Sequence, residues 1–583
     1  MIFSHFRRID WILLATTIAL VYVQVWMELE IPGYMSKITD IMTSGGTGQD
    51  VLNEGVWMLA YAFGSLILSF VTVLFAAYIG TNLGKTLRKR QFEQVERYSD
   101  ADINRFSIYS LITRSTNDVT QVQMLFIIGL MVMVRAPIMA VMALMKITTK
   151  NIGWMEITVF CVLAMVICIA VILWFTFPRF KKIQWMNDDV NRITKESLAG
   201  IRVVHAYNAE GYQESKFKEA NKTLTDTHLL VTRAMAFLQP VIGTVMTALS
   251  LGIYWMGAII INNGADTAQR LEDFSDMIVF SSYAMQLIAA FMMLILIFMV
   301  LPRAMVASKR IAEVIAVKPS ITDGDVTESS PENEGKISFR NVSFRYPGAS
   351  QDSLVDISFD VDKGETLAII GSTGSGKTTL VKMIPRFFDA ESGQVLVDGI
   401  DVKDYKLETL HRKIGYVPQK AIMFNGTIAS NVNYGDTEPE RTEDDVKKAL
   451  DIAQGTDFVE KLEDMYQSKV AEGGTNLSGG QKQRVSIARA VCKRPEFYIF
   501  DDSFSALDYK TDRALRSELK EETSGVTTII VAQRIGTIME ADKIIVLDEG
   551  RIVGMGKHRD LLRDCEVYMQ IARSQLSEEE LAR

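Results

Sequence analysis

Gly371-Ser372-Thr373-Gly374-Ser375-Gly376-Lys377-Thr378 decides the fold of the C-terminal half of the chain. It is a glycine, a four-residue gap and Gly-Lys-Thr, set between the strand-like Leu367–Ile370 and an apolar helix predicted to begin at Thr379. That strand–loop–helix setting separates a phosphate-binding loop from a chance glycine turn. Glycines let backbone N–H groups wrap an anion, and a helix N-terminus favours negative charge. Lys377 is placed to reach the terminal phosphates, and the Thr378 hydroxyl to ligate Mg2+.

C-terminal to this loop, Tyr498-Ile499-Phe500-Asp501 is an apolar strand ending on a carboxylate, where such folds put the Asp on the Mg2+ side. Strand-like runs recur at Ile337–Phe339, Thr366–Ile370, Val395–Val397, Ile414–Val417, Tyr498–Phe500, Thr528–Val531 and Lys543–Leu547, with helical stretches between several of them. Such alternation predicts an α/β nucleotide-binding domain over 336–583. Upstream of the strand ending at Asp501 stands Leu477-Ser478-Gly479-Gly480-Gln481, whose serine and glycines open a helix and so make a second anion-favouring N-terminus.

N-terminal to the loop the composition changes. Residues 318–335 read as a polar linker, KPSITDGDVTESSPENEG. Before it, residues 1–317 hold six apolar stretches, 11–30, 55–83, 125–147, 153–178, 237–262 and 278–302. Each is near the ~20 residues that cross a bilayer as a helix. The first is too long for a cleavable leader and has no small-residue cleavage site. Basic residues gather at one set of loop ends: Arg7 and Arg8; Lys85, Arg88, Lys89 and Arg90; Arg179, Lys181 and Lys182; Arg233; Arg303, Lys309 and Arg310. The opposite loops are acidic or mixed, with Asp40, Asp50 and Glu54, then Lys150 and Glu156, then Asp266, Glu272, Asp273 and Asp276, so both termini are expected in the cytoplasm. The connections 84–124 and 179–236 read as long helices that leave the membrane and return. Arg135, Gln239 and Gln286 fall at membrane depth. Helix–helix hydrogen bonding is the expectation for the two glutamines, and Arg135 is balanced between that and a substrate pathway.

Bulk properties agree. The chain has 583 residues, is 48% hydrophobic and carries a net charge of −8, which excludes a nucleic-acid binder. Its four cysteines, Cys161, Cys168, Cys492 and Cys565, form no CxxC pair, which speaks against a disulfide framework or structural zinc.

Leu477-Ser-Gly-Gly-Gln481 is the signature of ATP-binding cassette (ABC) proteins, and the whole chain resembles a half-transporter of the ABC exporter family. The resemblance implies a six-helix transmembrane domain fused to an α/β P-loop domain, with ATP and Mg2+ as the bound groups. Carried over by position, Gly371 to Thr379 hold phosphates and Tyr346 stacks on adenine. Thr378, Gln419 and Asp501 serve Mg2+, with Gln419 also near the membrane-domain contact. Ser478, Gly479, Gly480 and Gln481 complete a site on a second chain, and Ser505-Ala-Leu-Asp508 is the D-loop. Leu111–Val119 and Tyr207–Tyr212 resemble the intracellular loops whose short coupling helices touch nucleotide domains. Two positions depart from the pattern. Asp502 stands where active sites have the Glu that polarises the attacking water, and Gln533 stands where they have a histidine. A carboxylate one methylene shorter is misplaced for base catalysis, and an amide cannot become cationic. The resemblance therefore implies a site that binds ATP and hydrolyses it poorly, in a heterodimeric bacterial exporter of hydrophobic or amphipathic compounds. Its partner would supply Glu and His. A homodimer with two slow sites, a lipid or peptide exporter, and an ATP-gated pore are the rival readings.

Overall fold

The computed structural model describes residues 6–148, 152–264, 266–328, 331–435, 441–577 and 581. The linker expected over 318–335 falls partly outside the described residues, at 329–330. The chain divides into two units, one formed by residues 1–94 and 109–316, the other by 95–108 and 317–583.

The first unit is all helix. α1 (Arg8–Thr43), α2 (Gly48–Val95), then, past the segment that joins the other unit, α4 (Ile108–Thr148), α5 (Ile152–Ala199), α7 (Glu210–Asn263) and α8 (Thr267–Ala316) are each long and apolar enough to cross a membrane. Short helices α3 (Asp100–Asn104) and α6 (Ile201–Ala206) lie in the connections. At ~1.5 Å per residue, a 48-residue helix such as α5 outruns a ~30 Å hydrocarbon layer by more than half its length. Val21, Val25 and Leu29 of α1, Met139 and Ala143 of α4, and Phe280 and Ala284 of α8 share one apolar core. These residues recur at three- and four-residue spacing, the stripe a packed helix needs.

Charge is also paired inside this unit. Arg135 of α4 donates to both Glu28 oxygens, at 3.1 and 2.8 Å, and Lys146 to Glu30 at 2.8 Å. Gln24 donates to Glu28 from one turn below. Arg135 is thus a helix–helix group. Gln286 departs from the expectation: its Oε1 is buried and has no hydrogen-bond partner among the described residues. α4 contains two π segments, Arg114–Asp118 and Leu125–Gly129. The first lies in the Leu111–Val119 motif. Its Arg114 donates to the Arg310 carbonyl at 2.7 Å and to Glu313 at 3.0 Å, and Asp118 meets Arg310 at 3.3 Å, so the motif is fastened to α8.

The second unit is α/β. β1 (Ile337–Phe344) pairs antiparallel with β2 (Leu354–Val361) and β4 (Ser392–Val397), and β4 in turn with β5 (Ile400–Asp401). Alternate side chains are buried along β2, as in a sheet wet on one face. β7 (Gly426–Thr427) and β8 (Lys469–Val470) form a small separate pair. The main sheet runs β12-β11-β3-β10-β9-β6. Here β3 is Thr366–Gly371, β6 Ile414–Val417, β9 Phe497–Asp501, β10 Thr527–Val531, β11 Lys543–Asp548 and β12 Arg551–Gly556. All pairings in it are parallel except β11 with β12. Every residue of β9 is buried, as expected of a parallel strand covered on both faces. Its fully buried Phe497 and Ile499 are each worth about 1.5–3 kcal/mol of burial. Among the described residues three apolar cores result, the first holding Leu380, Ile369 and Ile499, the second Val485, Ile487 and Leu477, and the third Ile370, Ile544 and Tyr568. The loops that leave the C-terminal ends of β3, β6, β9 and β10 converge, which is where open α/β sheets bind ligands.

Part of the first connection belongs to this second unit. The segment taken in is 95–108, N-terminal to the Leu111–Val119 motif, which stays in the helical unit. α3 is capped by Ser99, and Asp102 accepts from the Ser320 N–H at 2.9 Å and its hydroxyl at 3.1 Å. The polar 318–328 stretch is therefore fastened down: Val326 bridges to Tyr405, and the Leu407 N–H donates to Asp323 at 2.8 Å.

Candidate nucleotide site

The phosphate loop forms because its glycines take conformations that other residues resist. Gly374 and Gly376 have φ of 88° and 99°. A Cβ on Gly376 would also stand 2.8 Å from the Ser353 carbonyl. The helix that follows is α9, Lys377–Lys382, so Lys377 and Thr378 lie inside its first turn and the start expected at Thr379 moves two residues back. The reason is Gly376, which as the left-handed N-cap already turns the chain. Lys377 Nζ donates to the Gly371 and Ser372 carbonyls at 2.8 and 2.7 Å, folding over the loop. Burial pushes its pKa down, opposed by the charges of Asp502 and Asp501. Ser375 Oγ is buried and unpartnered among the described residues, a donor held ready inside the loop.

β9 delivers two adjacent carboxylates with different surroundings. Asp501 Oδ1 accepts from the Thr378 hydroxyl at 2.8 Å and Oδ2 from the Tyr416 hydroxyl at 3.2 Å. Burial raises its pKa, while Thr378 and Tyr416 lower it. A threonine hydroxyl bonded to a carboxylate beside a phosphate loop is a hard-oxygen pair that fits Mg2+. Thr378 and Asp501 are the residues that would hold the ion, which would neutralise phosphate charge there.

Asp502 adopts φ of 49°, and its N–H donates to the Val531 carbonyl at 3.0 Å. One of its oxygens, Oδ2, accepts from Gln533 Nε2 at 2.7 Å and from Gln419 Nε2 at 3.2 Å. Burial raises the Asp502 pKa, against the amides and Lys377. The two substituted positions thus bond each other, and Gln419 bonds Asp502. An oxygen that already serves two donors is a poor acceptor for a proton from water. Gln575 braces the switch residue from the C-terminal helix Glu566–Gln575, donating to the Gln533 carbonyl at 2.8 Å and accepting from the Ile535 N–H at 2.8 Å. Gln575 and Tyr416 were not signalled in the sequence, since neither stands in a motif.

One of the remaining candidates reaches the phosphate-loop helix. Tyr346 packs edge-on to Phe344 and Phe388 and shares a 3.0 Å hydrogen bond with Thr379. Ser478 caps the helix Gly479–Lys493 reciprocally with Gln481: each accepts the other's backbone N–H, at 3.3 and 2.8 Å. That helix belongs to the second apolar core, whereas α9 belongs to the first. Asp508 likewise caps the helix Tyr509–Glu522, accepting from the Thr511 N–H at 3.0 Å. Asn431 binds the Phe424 N–H and carbonyl, both at 2.9 Å, and is structural.

Comparison with known proteins agrees with this geometry. Residues 354–505 match the model of the ABC transporter family and residues 14–291 that of the ABC transporter transmembrane region. An uncharacterized ABC transporter ATP-binding protein of Mycobacterium tuberculosis (strain CDC 1551 / Oshkosh) is 36% identical over 565 residues, covering 97% of this chain and 96% of the relative. An uncharacterized ABC transporter ATP-binding protein of Bacillus subtilis (strain 168) is 33% identical, with 97% of both chains covered. An ATP-dependent lipid A-core flippase of Pseudomonas fluorescens (strain Pf0-1) is 32% identical over 86% of this chain and 82% of its own. The fold matches that of a bacterial Atm1-family ABC exporter with ATP bound, at a TM-score of 0.78 and 24% identity, covering 97% of this chain and 98% of that one.

Proposed function

This chain belongs to the ABC transporter family, and from that premise we propose that it is the degenerate-site half of a heterodimeric bacterial exporter. ATP hydrolysis is coupled to transport, as in the family. The cargo class that fits is hydrophobic or amphipathic; the name of the Pseudomonas relative favours a lipid-like member of that class. Both termini and the α/β unit face the cytoplasm, in line with the basic loop ends.

One observation carries the reading: Asp502 and Gln533 replace both catalytic groups and hydrogen-bond each other, beside an intact phosphate loop. Gly371 to Thr379 bind the phosphates, Thr378 and Asp501 orient Mg2+, and Asp502 holds the switch loop without taking a proton from water. Ser478 to Gln481, complete in sequence, serve the partner's site. Ile201, Val203 and Tyr207, exposed on and just after α6, support an apolar seat on a second chain.

Nucleotide trapping tests this in the complex with its partner half-transporter, the expected candidate being encoded beside it. Nucleotide should persist on this chain through several turnovers while the partner's site exchanges. Equal trapping on both chains, or a transport-competent dimer of this chain alone, would sink the heterodimer.

A further inference from the structure

Asp501 has an oxygen that the phosphate loop does not explain. Thr378 takes Oδ1, and Tyr416 takes Oδ2. Tyr416 stands on β6, the strand next to β9, three residues before Gln419. Its ring lies edge-on to Phe387 at 5.4 Å with an interplanar angle of 86°, which fixes where the hydroxyl points. The hydroxyl donates to Asp501 Oδ2 at 3.2 Å.

Around this pair lie two further charges. Lys382, at the end of the helix that carries Thr378, contacts Asp100 of α3 at 3.8 Å. Asp100, Lys382, Tyr416 and Asp501 all belong to the second unit. The Mg2+-side carboxylate is therefore held from one side by the phosphate-loop helix and from the other by a tyrosine near the seat of α3.

We propose that Tyr416 is a positioning residue of this chain's Mg2+–nucleotide site, its hydroxyl fixing the rotation of the Asp501 carboxylate so that Oδ1 stays with Thr378. With one oxygen pinned, the carboxylate plane is set before the ion arrives. Without the hydroxyl, the Thr378 bond alone holds the carboxylate, and the ion has to finish ordering its plane. The proposal rests on the family's ATP site alone and not on the heterodimer.

The test uses the full-length chain in its assembly, photolabelled with an azido-ATP under non-hydrolysing conditions across a Mg2+ titration. Tyr416→Phe keeps the ring and its Phe387 contact and removes only the hydroxyl. The Mg2+ concentration for half-maximal labelling of this chain should rise about fivefold, the scale of one ordinary net hydrogen bond, as suits a contact 3.2 Å long. Labelling without Mg2+ should stay unchanged. In an Asp501→Asn background the same substitution should change the Mg2+ requirement less than about twofold, because the residue acts through that carboxylate. An unchanged Mg2+ requirement in Tyr416→Phe would overturn the proposal. So would an equal loss of labelling with and without Mg2+, or a full additive effect in the Asp501→Asn background.

Discussion

Replacing Asp502 by Asn tests the chemistry of the site most directly. The substitution keeps the shape and removes the charge. In the structure, Asp502 Oδ2 accepts from Gln533 at 2.7 Å and from Gln419 at 3.2 Å. Hydrogen bonds to a charged acceptor contribute about 1.5–3 kcal/mol each and neutral ones about 0.5–1.5. An Asn Oδ1 still accepts both bonds, so two bonds weaken by about 1 kcal/mol each. The longer Gln419 bond gives the smaller part, leaving about 1–2 kcal/mol lost from the hold on the switch loop. The expected outcome is a lower unfolding temperature for the α/β unit and a steady-state ATPase of the assembly reduced less than about threefold. A working general base contributes about 10²–10⁴-fold. The assay is ATPase of the reconstituted complex, with the partner's corresponding Glu→Gln variant alongside. If Asp502→Asn and the partner variant abolish turnover alike, Asp502 is a catalytic base and the reasoning fails.

Lys377→Ala should remove azido-ATP labelling of this chain. Ser478→Ala, which also costs a helix cap worth about 1 kcal/mol, should leave that labelling intact and slow turnover; loss of labelling in both would contradict the division of labour. In the helical unit, Arg135→Gln should lower thermal stability in detergent, and Glu28→Gln with Arg135→Gln should cost less than the sum of the single substitutions. The pair is about one-quarter exposed, so a coupling of roughly 1–3 kcal/mol is expected; strict additivity would deny that the ions meet. For Asp102, burial raises the pKa, but bonds from Ser320 and Ser99 outweigh it and hold the group below the ordinary value. A depressed folded pKa stabilises above the unfolded value of ~3.9 and loses that stabilisation as pH falls through the folded one. Asp102→Asn should therefore be destabilised at pH 6, and its gap from wild type should narrow as pH falls below about 3.9, in unfolding followed by intrinsic fluorescence.

Features written in contiguous residues were legible in the sequence. The phosphate loop, the carboxylate ending β9 and the signature run each need only their own spacing, and each of the six apolar stretches overlaps a long helix. What escaped notice depends on contacts between distant residues. Glu28 lies inside or at the edge of an apolar stretch and acquires meaning only from Arg135, which is 107 residues away. Gln575 reaches Gln533 across 42 residues, and Tyr416 reaches Asp501 across 85. The start of α9 moved because the left-handed Gly376 turns the chain early, an effect of backbone geometry that a residue pattern does not carry.

The stretch 95–108 has a consequence for anyone cutting this protein apart. The α/β unit is threaded from two places in the chain, so a fragment beginning at Val317 is missing a piece of its own body. Such a fragment loses Ala101 from the first apolar core and Asp102 from Ser320. It would carry an apolar notch and two orphaned donors on its surface, and would be prone to self-association. Supplying residues 95–108 as a peptide, or grafting them through a short glycine-rich tether ahead of Val317, would restore the missing wall. In that sense the nucleotide-binding half is a discontinuous object, and its boundary is a matter of folding and not of sequence order.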